Sequence, residues 1–389
     1  NPIKWKVACD RLFVSGINQI VYHGWAYQPN PDEYPGHYPW KGHGFSEDMG
    51  TSSSYYDHYP ELNEYVTRIQ YILGSGTTKV QVGIYYQHWN YTYKHISGED
   101  NEEGTLPGYD AKRIGGPIPW FMRRVRSEID KTDKLQQDIG HELMEYGYNY
   151  VHLNEDAMGF GELKYSDGSG GDHIFKVGNA ELNAIILPSY EFISYDVAKK
   201  LHSLAENGIA IVFVGSVPSM QAGYLDYKKH DNDIRRLLDP SSNENIFLIR
   251  RKDHTGSLLN EKIGVDPDVS FKKPEPFLAY IHKKIESGDV YFFRYGKPDY
   301  HSVNVSFNDD GKSCYRLDPW NGKIYRMSEA LEPDGDILLD FAPYGSIAVL
   351  FTDNEVADML PNIGARNDMG CYIHPVQVEN VAALKKWNL

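Results

Sequence analysis

The sequence predicts a chain of α/β layers followed by an all-β portion, on three observations. Its opening reads as an amphipathic helix that stops at a glycine and leads into a short apolar run, the helix-then-strand unit of an α/β layer. From Val80 onward, continuous apolar runs alternate with helical stripes, the pattern of a parallel sheet covered on both faces and flavodoxin-like in outline. After about Thr255 the pattern becomes short apolar-polar alternation with regular turn signals, which is how a β-sandwich reads.

In chain order, Trp5, Ala8, Cys9, Leu12 and Phe13 follow the i, i+3, i+4, i+7, i+8 spacing of one helical face, and Gly16 stops it. Ile17 to Tyr22 is then expected to be a short buried strand. Residues 24–60, rich in Pro, Gly, Tyr and His, make a loop longer than connection requires. Leu62, Tyr65, Val66, Ile69, Ile72 and Leu73 restore a helical stripe that ends at Gly74-Ser75-Gly76. The second series runs through the strand "VQVGIYY", a helix over 131–145, strands over Tyr148 to Leu153 and Ala184 to Leu187, a helix on Val197, Leu201 and Leu204, and the strand Ile209 to Val214. Residues 97–118, rich in Gly and acid, are an excursion. "DVYFFRYG", "HSVNVSFNDDG", "KSCYRLDPWNG" and "DILLDFAPYGSIAVLF" then supply sandwich strands and turns. The expected domains are 1–76, 77–256 and 257–389.

A formal charge of −15 argues against the phosphate backbone, which needs a basic face, so nucleic acid is not an expected partner. No apolar run approaches the roughly 20 residues of a membrane span. Asn1-Pro2 has neither an initiator Met nor a signal peptide, so a processed or partial start is expected. The 13% aromatic content includes 30 Tyr, a stock that suits stacking on neutral polar ligands such as sugars. Cys9, Cys314 and Cys371 are too few and scattered for a disulfide framework or a zinc site, and at most Cys314 and Cys371 pair. Asn90-Tyr91-Thr92 and Asn304-Val305-Ser306 are glycosylation sequons, relevant if the protein is secreted.

Three local patterns invite catalysis and are read otherwise. The run from Asp167 to Asp172, "DGSGGD", lacks the Lys and the strand-to-helix context of a phosphate loop and reads as a hairpin turn. His141-Glu142 with Glu145 is half of a zinc-protease helix without its second His, and reads as an exposed helical face. "GSVPSMQAG" lacks the spacing of a nucleophile elbow.

The segment from Tyr22 to Tyr59 is different, with seven Tyr, two Trp and four His. His23 follows the expected strand at its carboxyl end, where α/β folds place their ligands, and a long loop begins there. His23, Trp25, Tyr27, Gln28, His37 and Trp40 are therefore the candidate ligand-binding residues. Trp25 and Trp40 have packing of the loop as the competing reading.

"DRLFVSGINQIVYHGWAYQP", Pro35-Gly36 and "YVTRIQYILGSG" resemble the end of the catalytic barrel of glycoside hydrolase family 106, the α-L-rhamnosidases, through Asp10, Arg11, Phe13, Gly16, Asn18, His23, Gln28, Pro29, Pro35, Gly36, Tyr65, Arg68, Tyr71 and Leu73. "YNYVHLNEDAM", "AIILPSYEFIS" and "LAENGIAIVFVGSVP" are similar to the family's following α/β domain. "IHKKIESGDVYFF", "RLDPWNGKI" and "YGSIAVLF" are similar to its β-sandwich. Tyr27 stands where the family often has His. The resemblance implies the C-terminal part of a (β/α)8 barrel, then a flavodoxin-like α/β domain and a β-sandwich. It implies hydrolysis of α-linked deoxy-sugars with inversion by two carboxylates, both expected to precede Asn1, so the N-terminal barrel portion of the same or another chain is an expected partner. His23 would bond sugar hydroxyls, Trp25 or Trp40 would stack on the ring and Gln28 would orient the loop. Calcium is implied too, on residues the sequence does not identify, and an extracellular or cell-surface location is expected. The alternatives are a non-catalytic glycan-binding or structural protein with the same fold, and catalysis within the loop by Glu33, Glu47 or Asp48.

Overall fold

The computed structural model describes residues 2–22, 53–87, 134–165, 173–223, 225–250, 255–308, 312–327 and 335–354. The chain divides into two compact units, 1–78 with 277–389, and 79–276. The expected segments 1–76 and 257–389 are thus largely drawn into one unit, because the helices of the first bury their apolar faces on strands of the last.

Helix α1 (Pro2–Val14) buries Lys6, Cys9, Asp10, Phe13 and Val14. Helix α2 (Tyr59–Gly74) carries Pro in its first turn, where the missing N–H costs nothing, and buries Leu62, Tyr65, Val66, Ile69, Ile72 and Leu73 at helical spacing. Between them the expected buried strand Ile17 to Tyr22 is corrected. It forms no strand, and Ile17 and Val21 are 44% and 83% exposed. An apolar run becomes a strand only where neighbours satisfy its N–H and C=O groups, and no strand of the described residues runs beside it.

The unit 79–276 is built on a parallel sheet of β1 (Val82–Tyr85), β2 (Tyr150–Leu153), β3 (Ala184–Leu187), β4 (Ala210–Val214) and β5 (Ile246–Ile249), in the spatial order 2-1-3-4-5. Side chains alternate along each strand. Ile185, Leu187, Ile211 and Phe213 pack on helices Tyr195–Glu206 and Tyr227–Leu237 through Val197, Leu201, Leu204 and Ile234. Val82, Ile84, Ile186 and Val212 pack on the helix over 134–145 through Ile139 and Leu143. With both faces covered, every residue of β3 and β4 is buried, which is why those strands read as unbroken apolar runs. On the 134–145 helix, His141 is exposed but Glu142 is buried, which corrects the exposed-face reading. The Gly256 N–H donates to both of its carboxylate oxygens, at 2.9 and 3.0 Å. Glu162–Tyr165, His173–Val177 and Ala180–Leu182 form a small antiparallel sheet in which Tyr165 pairs with His173, and the glycine-rich run Asp167 to Asp172, read as a hairpin turn, lies outside the described residues.

In the other unit, β6 (Leu278–Ile285), β7 (Gly288–Tyr295), β8 (His301–Phe307), β9 (Ser313–Leu317), β10 (Ile324–Arg326), β11 (Ile337–Phe341) and β12 (Ser346–Thr352) are antiparallel. Thr77–Thr78, β6, β7, β12, β9 and β10 make one sheet in that order, and β8 pairs with β11. The inner strands of the six-stranded sheet are buried on both faces. Phe292, Tyr315, Leu317 and Ala348 meet α1 and α2, while Tyr291, Phe293 and Phe351 meet Phe307 of β8 with ring centroids 4.9, 5.9 and 4.9 Å away. "VYFF" is continuous for that reason.

Candidate functional site

His23, Trp25, Tyr27, Gln28, His37 and Trp40 lie outside the described residues, as does Asn90. The stems of their loop are described. On the entering side, the Tyr22 ring meets Trp5 of α1 edge-on at 5.7 Å, and Ile20 N–H donates to Gln70 Oε1 of α2. On the returning side, Ser53 Oγ lies 3.0 Å from Tyr59 OH, and Tyr56 meets the Tyr59 ring edge-on at 6.5 Å. Both stems therefore rest on α1 and α2, a packed scaffold of the kind that holds functional loops.

Beneath the stems lies a buried polar cluster. Lys6 Nζ contacts Asp10 Oδ2 at 2.7 Å and donates to Tyr344 O at 2.5 Å. Tyr65 OH donates to Asp10 Oδ1 at 2.6 Å and stands 2.6 Å from Ser346 Oγ. Burial pushes the Asp10 carboxyl up and the Lys6 ammonium down, and their mutual contact works against both shifts. At 2% and 5% exposure neither reaches a ligand, so the cluster clamps both helices to β12. Burial, with the Asp10 charge second, pushes the Cys9 thiol up to about 11, which makes it inert as a nucleophile. The i, i+4 spacing of Lys6 and Asp10 was readable in the sequence, but nothing local announced Tyr65 or Ser346 as partners.

At the carboxyl edge of the parallel sheet, the usual ligand edge of such sheets, several polar side chains bond one another or the backbone. Tyr190 OH donates to Tyr85 O at 3.1 Å, Gln87 Nε2 donates to Phe192 O at 2.7 Å, and Ser189 Oγ lies 2.7 Å from Ser216 Oγ. Helix amides that would cradle a phosphate are engaged: Ala157 N–H by Asn154, Val197 N–H by Ser194 and Tyr195 N–H by Gln221. Among the described residues no group of three or more His, Cys, Asp or Glu could hold a metal ion. No helix among them is long and apolar enough to cross a membrane. Asn304 is half-buried on β8, paired with Leu338, and Cys314 Sγ is buried 3.8 Å from Met327 Sδ. Cys371 lies outside the described residues.

The structure is similar to the rhamnosidase from Novosphingobium sp. PP1Y, with TM-score 0.61 and 18% identity, over 94% of this chain and 31% of that chain. It is also similar to a catalytic mutant of Gan42B, a GH42 beta-galactosidase from G. stearothermophilus, with TM-score 0.53 and 11% identity, over 90% of this chain and 51% of that one. These likenesses concern the fold, and the chain spans about a third of the rhamnosidase's length. No curated protein matches in sequence. The model of glycoside hydrolase family 106, alpha-L-rhamnosidase, matches residues 127–330, more than half of the 389 residues, and on that ground the chain belongs to this family.

Proposed function

We propose that the chain is a portion of a glycoside hydrolase that cleaves α-linked rhamnose-like sugars with inversion, and that it supplies one wall of the glycan pocket. The family match over 127–330 carries this reading. The strand order 2-1-3-4-5 supports a flavodoxin-like domain, and the antiparallel sheets of the other unit support a sandwich. Ile17 and Val21, with Ile3 and Leu12 on α1, leave exposed apolar side chains of the kind that the other elements of a barrel would cover, which supports a place for α1 and α2 at the end of such a barrel. His23 would bond sugar hydroxyls, Trp25 or Trp40 would stack on the ring, and Tyr27, Gln28 and His37 would line the loop. Inversion needs an acid and a base roughly 6.5 to 9.5 Å apart, which barrel enzymes draw from several strand ends. Action outside the cell, with glycosylation at Asn90 or Asn304, belongs to the same proposal.

The test compares residues 1–389 with a chain extended by the missing barrel strands, on an aryl α-L-rhamnoside. The extended chain should turn over with inversion and the shorter one should not. Turnover by 1–389 that is lost on changing Glu33 or Glu47 would move catalysis into the loop. Sugar binding without hydrolysis by the extended chain would favour a non-catalytic glycan binder.

A further inference from the structure

A half-exposed indole is fixed on the turn between β9 and β10. Trp320 is 49% exposed, yet its turn is held from several sides. Asp318 Oδ1 accepts from Trp320 N–H at 2.9 Å and from Asn321 N–H at 3.3 Å, while Gly322 N–H donates to Asp318 O at 2.8 Å. Arg68 of α2, only 8% exposed, donates through Nη1 to Pro319 O at 2.8 Å and Trp320 O at 2.7 Å. Its Nη2 holds Glu64 Oε2 at 2.7 Å. The buried Tyr65 ring supports the indole from below, with centroids 4.4 Å apart and planes inclined by 33°. Asn321, exposed beside it, donates through Nδ2 to Tyr325 OH at 3.0 Å.

The Asp318 cap alone would form this turn with almost any residue at 320. A buried guanidinium spent on the carbonyl of Trp320, and a tyrosine beneath its ring, instead pre-organise one aromatic face toward solvent. Pre-organisation lowers the cost of binding at such a face. The surroundings choose the ligand class. Among the described residues, Glu64, held by Arg68, and Asn321, next in sequence, are exposed polar groups of this turn. A flat indole flanked by a carboxylate and an amide suits a neutral pyranose, whose C–H face stacks while its hydroxyls bond. The methyl group of a 6-deoxy-sugar enlarges that face.

Taking the glycan reading above as given, we propose that Trp320 is a sugar-stacking platform, with Glu64 and Asn321 as its hydroxyl partners. The chain has seven Trp, so 15N-tryptophan labelling gives an indole N–H spectrum in which Trp320→Phe identifies the Trp320 signal. Titration of residues 1–389 with methyl α-L-rhamnoside should shift that signal. Trp320→Ala should weaken retention in gels containing a rhamnose-rich polysaccharide about five- to tenfold, and Trp320→Phe should keep most of it. A Trp320 signal that stays still, whether or not Trp25 or Trp40 moves, overturns the assignment, as does wild-type retention by Trp320→Ala. Hydrolysis by the extended chain is a separate readout, so loss of the platform and loss of the enzymatic reading are told apart.

Discussion

His282 Nε2 donates to Asp289 Oδ1 at 3.0 Å, and Lys312 Nζ donates to its Oδ2 at 2.8 Å. The His282 hydrogen bond first, and Lys312 after it, hold the Asp289 carboxyl well below the usual carboxylate range. A folded-state value below the unfolded one, about 3.9, means that this stabilisation is fully present above that pH and lost as pH falls toward the folded value. Asp289→Asn should therefore cost about 1–3 kcal/mol at pH 7, with the gap to wild type closing below about pH 4. Urea midpoints from pH 3 to 7 check this, and a gap that does not depend on pH would remove the ionic explanation. At Asp10 the partner is a buried ammonium. Asp10→Ala leaves Lys6 uncompensated and should cost about 3–5 kcal/mol. Tyr65→Phe, which keeps the ion pair, should cost only about 1 kcal/mol in the same urea titrations. At this scale the Lys6–Asp10 pair is local, at i, i+4, though the sequence reading did not name it, and Tyr65 and Ser346 are brought together only by packing α2 on β12.

The end of α2 depends on one glycine. Gly76 has φ +62, and a Cβ there would lie 2.0 Å from Lys284 O, where Thr77 and Thr78 begin to pair with β6. Gly76→Ala meets both the left-handed penalty and the backbone, and should destabilise by about 2–4 kcal/mol, while Gly74→Ala, with nothing near its Cβ, should change little. Equal melting temperatures for the two variants would show that the close approach is not required. Elements were legible where periodicity and burial agree. The stripe Leu62 to Leu73 gave α2, and the runs at Ala184 and Ala210 gave β3 and β4. Ile17 to Tyr22 was misread because an apolar run states a preference for burial and says nothing of whether a neighbour is present to provide it. Ile246–Ile249 went unread because four residues at a sheet edge, only Ile246 of them buried, carry too little pattern.

For the molecule as a whole, the order of domains along the sequence is not the order of its cores. Both faces of the parallel sheet close within 79–276: the clusters around Phe213 and around Val212 draw only on residues of that span. The cluster under α1 and α2 joins Phe13, Tyr65 and Ile69 to Phe292, Tyr315 and Ala348 from the far end of the chain. A core that closes within one continuous span can fold alone, whereas one assembled from both ends cannot form until both are present. Residues 79–276 expressed alone should therefore melt cooperatively with a defined near-UV spectrum. Residues 1–78 alone should remain unfolded, because the strands that cover the apolar faces of α1 and α2 are missing, and should gain helix only when 277–389 is added. Circular dichroism on the three fragments decides it. A 79–276 fragment without cooperative melting would mean that its sheet depends on the other unit, and helix in 1–78 alone would mean that α1 and α2 form without the sheet that buries them.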